Sequence, residues 1–404
     1  MKAKNRGRGI AIELAINIFG VMLSYWTDYG MSYVSNDAQF RFPLALQILF
    51  AIFTFIGIIL LPESPRWLVA HDRHDEARVI LWAIQKDAKA LSMDDPKLTM
   101  SMAEIQHAIE EERQASKQGS FRTMLKNGEQ KFFYRTMLGI GGQFMQQISG
   151  INLITYVSFR FLTTNLAVAD TMQYAPVIFQ QSVGLEHNLS LLLAGCIGIV
   201  FWVSSLIPIW VIDRLGRRKL MLFAAIGQCA CMAVLSGTVK KGGYAAGIVS
   251  SVMLFLFDFF FAVGLLAVPW LRKYLQMHAY RVTKLILPVP AEYAPLAIRT
   301  RAAALATASN WIFNFLVVMI TPVSITNIGY KTYIYFAMFN FCFIPLIYFF
   351  YPETQWLSLE QIDKLFTGDK IMLNWDRSMG VPGEAPEKAG GEADVEHSEN
   401  LDRK

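Results

Sequence analysis

Long apolar runs constrain this chain more than any other feature. They fall at roughly 10–26, 43–61, 188–212, 219–239, 245–271, 303–323 and 332–350, and an interrupted one lies between 134 and 180. A helix needs about 20 mostly apolar residues to cross a bilayer. A large soluble core rarely yields so many long runs separated by charged loops. Composition agrees: 54% of residues are hydrophobic, only 17% are charged, and mean hydropathy is +0.34, whereas soluble domains carry about a quarter charged residues. The expectation is an all-α membrane protein crossing the bilayer many times, with the lipid bilayer as its first partner. No signal-peptide pattern opens the chain, so the first run reads as a span. Cys196, Cys229, Cys231 and Cys342 lie in apolar runs without metal-ligand spacing and read as small buried hydrophobes. No hydrolase, nucleotide-binding or metal motif points to an enzyme. No metal, no cofactor, no nucleic acid and no obligatory protein partner is expected.

Basic residues cluster in alternate loops. Lys2, Lys4, Arg6 and Arg8 precede the first run, "DRLGRRK" follows a later span, and "RTR" (299–301) precedes another. The positive-inside rule puts these loops in the cytoplasm, with Lys240 and Lys241 a modest exception. This divides the chain into residues 1–61, two spans; 62–133, a cytoplasmic helical linker; 134–351, a further membrane bundle; and 352–404, a cytoplasmic tail. After about 369 the tail is rich in Gly, Glu and Lys and is expected to be disordered.

An internal repeat carries more information. "NRGR" (5–8) precedes two apolar runs ending in "PESPR" (62–66), and "IRTR" (298–301) precedes two ending in "PETQW" (352–356). Four spans precede Arg299 in its half, but only a few residues precede Arg6. By the logic of the repeat, four helices would stand before the first, and about eight of twelve are present.

"PESPRWL" (62–68), "GQFMQQISGIN" (142–152), "DRLGRR" (213–218), "PAEYAPLAIRTR" (290–301), "ASNW" (308–311) and "PET…SLE" (352–360) occur in this order. Together they resemble the sugar porter family of the major facilitator superfamily, in the flavour of fungal sugar and polyol:proton symporters. The resemblance implies the major facilitator fold. It also implies secondary transport of a sugar or small polyol by alternating access at a plasma membrane, with a proton as the coupling ion of the intact form and the C-terminus cytoplasmic. A transporter-like nutrient sensor and a non-functional fragment are the alternatives.

On a helix, Gln143 and Gln147 share a face with Ser149 and Gly150, and Gln146 neighbours Gln143. Amides inside a bilayer must pair or face a hydrated cavity, and each offers a donor beside an acceptor, as adjacent sugar hydroxyls do. Interhelical packing is the other reading. The resemblance implies substrate contacts for Gln146, Gln147, Asn152 and Tyr156, for Trp270 as a flat apolar face, and for Asn310 and Asn314, which lie four apart on one helix face. It also implies a cytoplasmic gate of helix-end charges: Glu63, Arg66, Asp213, Arg214, Arg217, Arg218, Glu292, Arg299 and Glu353. Asp258 is an intramembrane acid, by default a functional candidate, which no family motif covers.

Two passages depart from the pattern. In the family, "GINLITY" runs directly into "YAPVIF", and "VPWL" nearly into "PAEY". Here residues 157–173 and 272–289 intervene. Codons for Val157–Ser158 and Arg272–Tyr274 can spell an intron start, and those for Met172–Gln173 and Pro288–Val289 an intron end. Both read as translated introns left by an incorrect exon assignment, which would also account for the missing helices. The alternative is that both are real loops.

Overall fold

The computed structural model describes residues 6–85, 92–93, 95–118, 120–128, 130–155, 187–266, 294–295, 297–353 and 366. Among them every regular element is helical. In chain order these are α1 (Arg6–Met31), α2 (Ala38–Leu60), α3 (Pro65–Ala70), α4 (His74–Ile84), α5 (Pro96–Gln118), α6 (Phe121–Met124) and α7 (Phe132–Gln146). After α7 come a π turn (Gln147–Ile151) and α8 (Asn152–Thr155). Then follow α9 (His187–Leu206), α10 (Pro208–Leu215), α11 (Arg217–Lys241), α12 (Tyr244–Phe260) with its π extension (Phe261–Leu266), α13 (Arg299–Ile328) and α14 (Lys331–Phe350).

Among the described residues, six stretches are long and apolar enough to cross a membrane: Ala38–Leu60, Leu192–Ile212, Arg217–Lys241, Ala245–Leu266, Arg299–Ile328 and Lys331–Phe350. α1 covers the first predicted run but is not among them, and it carries Arg6, Arg8, Glu13 and Asp28. α7 has only 15 residues before the π turn. The two interrupting passages, 157–173 and 272–289, lie outside the described residues.

Local chemistry sets the boundaries. Pro62 holds Leu61 extended (φ −87°, ψ 134°) and so stops α2. Two residues later the Ser64 hydroxyl accepts the Trp67 N–H at 3.1 Å, and Pro65 occupies the first helical position of α3. Both are strong helix-start features. Gly216 has φ 88° between α10 and α11, a conformation that glycine adopts without steric cost.

One apolar core runs through the membrane helices, and α11 packs directly against both α12 and α14. Leu220, Met221, Ala224, Ala225, Met232 and Leu235 of α11 belong to it. α1 joins the core through Ile18 and Tyr25 and lies against α9 and α10. α2 contributes no buried residue. A second small core holds α3, α4 and α5 together through Leu68, Leu81, Leu98 and Ile105, and Arg66 pairs with Glu112 across it. Met124 of α6 packs on Ala294, Ile298 and Ala302 at the start of α13. Of the four cysteines expected to be buried, Cys231 is, Cys196 and Cys229 are partly covered, and Cys342 is exposed. Cys342 sits on an outward face of α14, where an apolar environment is lipid rather than protein.

Candidate functional site

The site is built where α7 breaks. Gln147–Ile151 wind as a π turn, and Gly150 stands at φ 103°, ψ 10°. A side chain at Gly150 would be strained by that φ, and its Cβ would also fall 3.0 Å from Met232 Cε and 3.1 Å from Phe336 Cδ1. Glycine at this point of "QQISGIN" is therefore a packing and backbone requirement together. π turns inside helices frequently mark functional positions. Asn340 of α14 steadies the turn by donating from Nδ2 to the Ser149 carbonyl at 2.8 Å.

Around this break an amide network joins three elements. Asn310 of α13 donates from Nδ2 to Gln143 Oε1 at 2.6 Å and to Gln146 Oε1 at 3.1 Å. Gln146 in turn donates from Nε2 to the carbonyls of Leu265 and Leu266 at 2.9 and 3.1 Å. Asn152 donates to Gln147 Oε1 at 2.5 Å. Gln143, Gln146, Gln147, Asn152 and Asn310 are all buried. The arrangement thus ties α7 to the π extension of α12 and to α13 by exchangeable hydrogen bonds of side-chain amides. A polyhydroxylated molecule offers the same donor–acceptor pairs, so it can replace these contacts one for one.

Of the predicted substrate residues, Gln146, Gln147, Asn152 and Asn310 come together. Asn314 follows one turn beyond Asn310, half-buried. Tyr156 and Trp270 lie outside the described residues. Gln143, Asn340 and the Leu265 and Leu266 carbonyls join the network beyond that set. Gln143 had a signal, standing one turn before Gln146. A lone asparagine in an apolar helix and two backbone carbonyls carry none.

Among the predicted gate charges, Glu353 accepts the backbone N–H groups of Arg217 (3.0 Å) and Arg218 (3.1 Å). It thereby caps the positive end of the α11 dipole. The Arg218 guanidinium donates to the Tyr348 carbonyl at 2.5 Å and lies over its ring at 4.8 Å. Arg299 donates from Nε to the Ala294 carbonyl at 3.2 Å. Arg66 holds Glu112, Glu63 is exposed, and Arg214 lies exposed at the end of α10. Glu292 lies outside the described residues, as does the side chain of Asp213.

These helices, with an amide network at a helix break, define a polytopic membrane protein. Solved structures share the fold. The xylose transporter XylE of E. coli, bound to 6-bromo-6-deoxy-D-glucose, superposes with TM-score 0.65 at 22% identity over 91% of this chain and 68% of its own. The chain belongs to the family described as "Sugar (and other) transporter", which it matches over residues 2–366. Similar relatives include the "MFS-type transporter oryC" of Aspergillus oryzae, 35% identical over 92% of this chain. The "Sugar transporter STL1" of Saccharomyces cerevisiae is 33% identical over 90% of it. The chain spans 63% and 57% of the lengths of these two relatives.

Proposed function

We propose that the chain is the larger part of a secondary active transporter that carries a sugar or small polyol by alternating access. The observation that carries this reading is the amide network of Gln143, Gln146 and Asn310 inside an apolar bundle. In this reading α1 and α2 are helices five and six of twelve, and the bundle from α7 onward supplies helices seven to twelve. The protein lies in the plasma membrane with its C-terminus in the cytoplasm, following the basic loops. A sugar hydroxyl takes the place of Asn310 or of the Leu265 carbonyl at Gln146. Gln147, Asn152, Tyr156 and Asn314 complete the polar wall, and Trp270 supplies the apolar one. Release of Gln146 from Leu265 and Leu266 frees the π extension of α12 to move, which links occupancy to closure.

The charges Glu63, Arg66, Asp213, Arg214, Arg217, Arg218, Glu292, Arg299 and Glu353 form the cytoplasmic gate. Its exposed contacts are individually weak, about 0–1 kcal/mol, as two nearly isoenergetic states require. A proton is the coupling ion of the intact form. Uptake of labelled hexose, pentose and glycerol into transporter-deficient cells tests the reading. The chain is compared with a form completed by four N-terminal helices and lacking 157–173 and 272–289. Saturable uptake by the completed form, lost in Gln146→Ala, is expected, and absence of uptake of all three would refute it. Sequencing the transcript checks the two passages: a spliced message that retains both would make them loops.

A further inference from the structure

One buried acid has no place in the amide network. Asp258 lies within the span Ala245–Leu266, wholly buried, and neither of its carboxylate oxygens has a hydrogen-bond partner. Gln228 on α11 is also wholly buried, and neither its Nε2 nor its Oε1 has a partner. α11 and α12 pack directly and antiparallel. Thr238 Oγ1 lies 2.7 Å from Ser250 Oγ, and a Cβ on Gly227 would fall 2.3 Å from the Phe260 ring. This register puts Asp258 within about two residues of the level of Gln228, roughly 3 Å along the axis.

The two orphan groups are chemically complementary. A carboxylate without hydrogen bonds or a counter-ion is too costly to persist in the bilayer interior, and such a group neutralises instead. Once protonated, it offers one O–H donor and a carbonyl acceptor, which match the acceptor and donor of a primary amide. Among the described residues, the elements packed against α12 supply no competing charge inside the span. Cys196 of α9 and Cys229 and Cys231 of α11 are the titratable side chains there. His187, Arg217, Arg218, Lys219, Lys240 and Lys241 sit at helix ends, and the closest of them along α11 is roughly 15 Å away in height.

We propose that Asp258 and Gln228 form a proton-binding site in the seam between α11 and α12. The two side chains are not bonded to each other in the structure; on taking up a proton the Asp258 carboxyl turns to donate to Gln228 Oε1, while Gln228 Nε2 donates back to the other carboxyl oxygen. Losing the proton leaves an anion that needs water, so the seam opens or hydrates when the site empties. Because Phe261, where the π extension begins, donates its N–H to the Asp258 carbonyl, that opening bears directly on the segment held by Gln146.

Infrared difference spectroscopy of the full chain in lipid nanodiscs tests this without sugar or uptake, so its failure would leave the transport reading intact. Wild type minus Asp258→Asn at neutral pH should show one protonated-carboxyl C=O band per chain. Gln228→Leu should keep the band and shift it to the frequency of a less hydrogen-bonded acid. If Asp258→Asn does not fold, Asp258→Glu should move the same band. A wild-type spectrum with no protonated-carboxyl band that these variants remove or move would overturn the site. A band indifferent to Gln228→Leu would overturn the pair.

Discussion

α2 and α11 draw on the same apolar alphabet and are both long enough to span a bilayer, but they relate to the protein in opposite ways. Over their most apolar stretches α2 has mean hydropathy 2.4 with 0% of residues buried, and α11 has 1.9 with 50% buried. Within the described residues, the more apolar helix is the less engaged one. Lipid is as apolar as leucine, so hydrophobicity settles only that a helix inserts. Association depends on small residues that admit a neighbour and polar ones that bond across. α11 has both: Gly227 under the Phe260 ring and Thr238 against Ser250. α2 presents Gly57 to open space and Gln47 outward.

Glycine therefore offers the sharpest way to break the comparison. A Cβ on Gly264 would fall 2.1 Å from the Leu220 carbonyl oxygen and 2.6 Å from Ala224 Cβ. Backbone cannot step aside as a side chain can, so Gly264→Ala should separate α11 from the π extension and destabilise by about 3 kcal/mol. Gly57→Ala meets nothing within 4 Å and should raise stability by up to about 1 kcal/mol through helix propensity. Thermal unfolding of both variants in one detergent measures the difference. Equal effects would mean that α2 is packed as α11 is.

Amides give the second contrast. Asn310→Leu leaves Gln143 Oε1 and Gln146 Oε1 without this donor, an expected loss of about 2 kcal/mol. In a transport-competent form, uptake should fall at least about tenfold, which corresponds to about 1.4 kcal/mol. Gln47→Leu on α2 removes an exposed amide and should stay within about 0.5 kcal/mol. Unfolding midpoints and initial uptake rates, taken together, check both.

These contrasts show what the sequence made legible and what it did not. The run at 43–61 predicts α2 as a span, but nothing in that run says that the helix buries no residue, because burial belongs to the neighbours. "QFMQQISGIN" marks the amide site, and the one-turn spacing of Gln143 and Gln146 brings both to Asn310. The ideal period, however, puts Gln147 on the face of Gln143, and the π turn instead pairs it with Asn152. A π turn adds one residue to one helical turn and leaves no compositional trace. Asn340 was illegible because its partner is a backbone carbonyl 191 positions earlier. Glu353 was legible as a helix-end charge, but its cap on α11 depends on where another helix begins.

That cap is the third test, since α2 starts on an acid as well. Glu353→Ala removes the acceptor for the Arg217 and Arg218 N–H groups and should cost about 1 kcal/mol. Asp37, at the start of α2, makes no side-chain cap bond and instead pairs with Arg41 at 2.8 Å, with both side chains 70% exposed. Asp37→Ala should be close to neutral in the same melts. A cost there equal to that of Glu353→Ala would show the dipole, rather than the bonded N–H groups, to be the stabilising element.

The smallest effect is expected where an ion pair joins two elements that an apolar core already holds together. Arg66 of α3 and Glu112 of α5 pair across the small core of Leu68, Leu81, Leu98 and Ile105, with side chains 28% and 37% exposed. Water screens such a pair, so Glu112→Gln should cost under about 0.5 kcal/mol, and less as salt rises. The core beneath is what holds α3 to α5, just as packing rather than apolar content separates α11 from α2. Limited proteolysis of the 62–133 segment at low and high salt reads this directly. Cleavage rates of Glu112→Gln and wild type should differ little and converge with salt. A large, salt-dependent gap would mean that this segment is held by its charges, and burial would then not be the rule common to both cores.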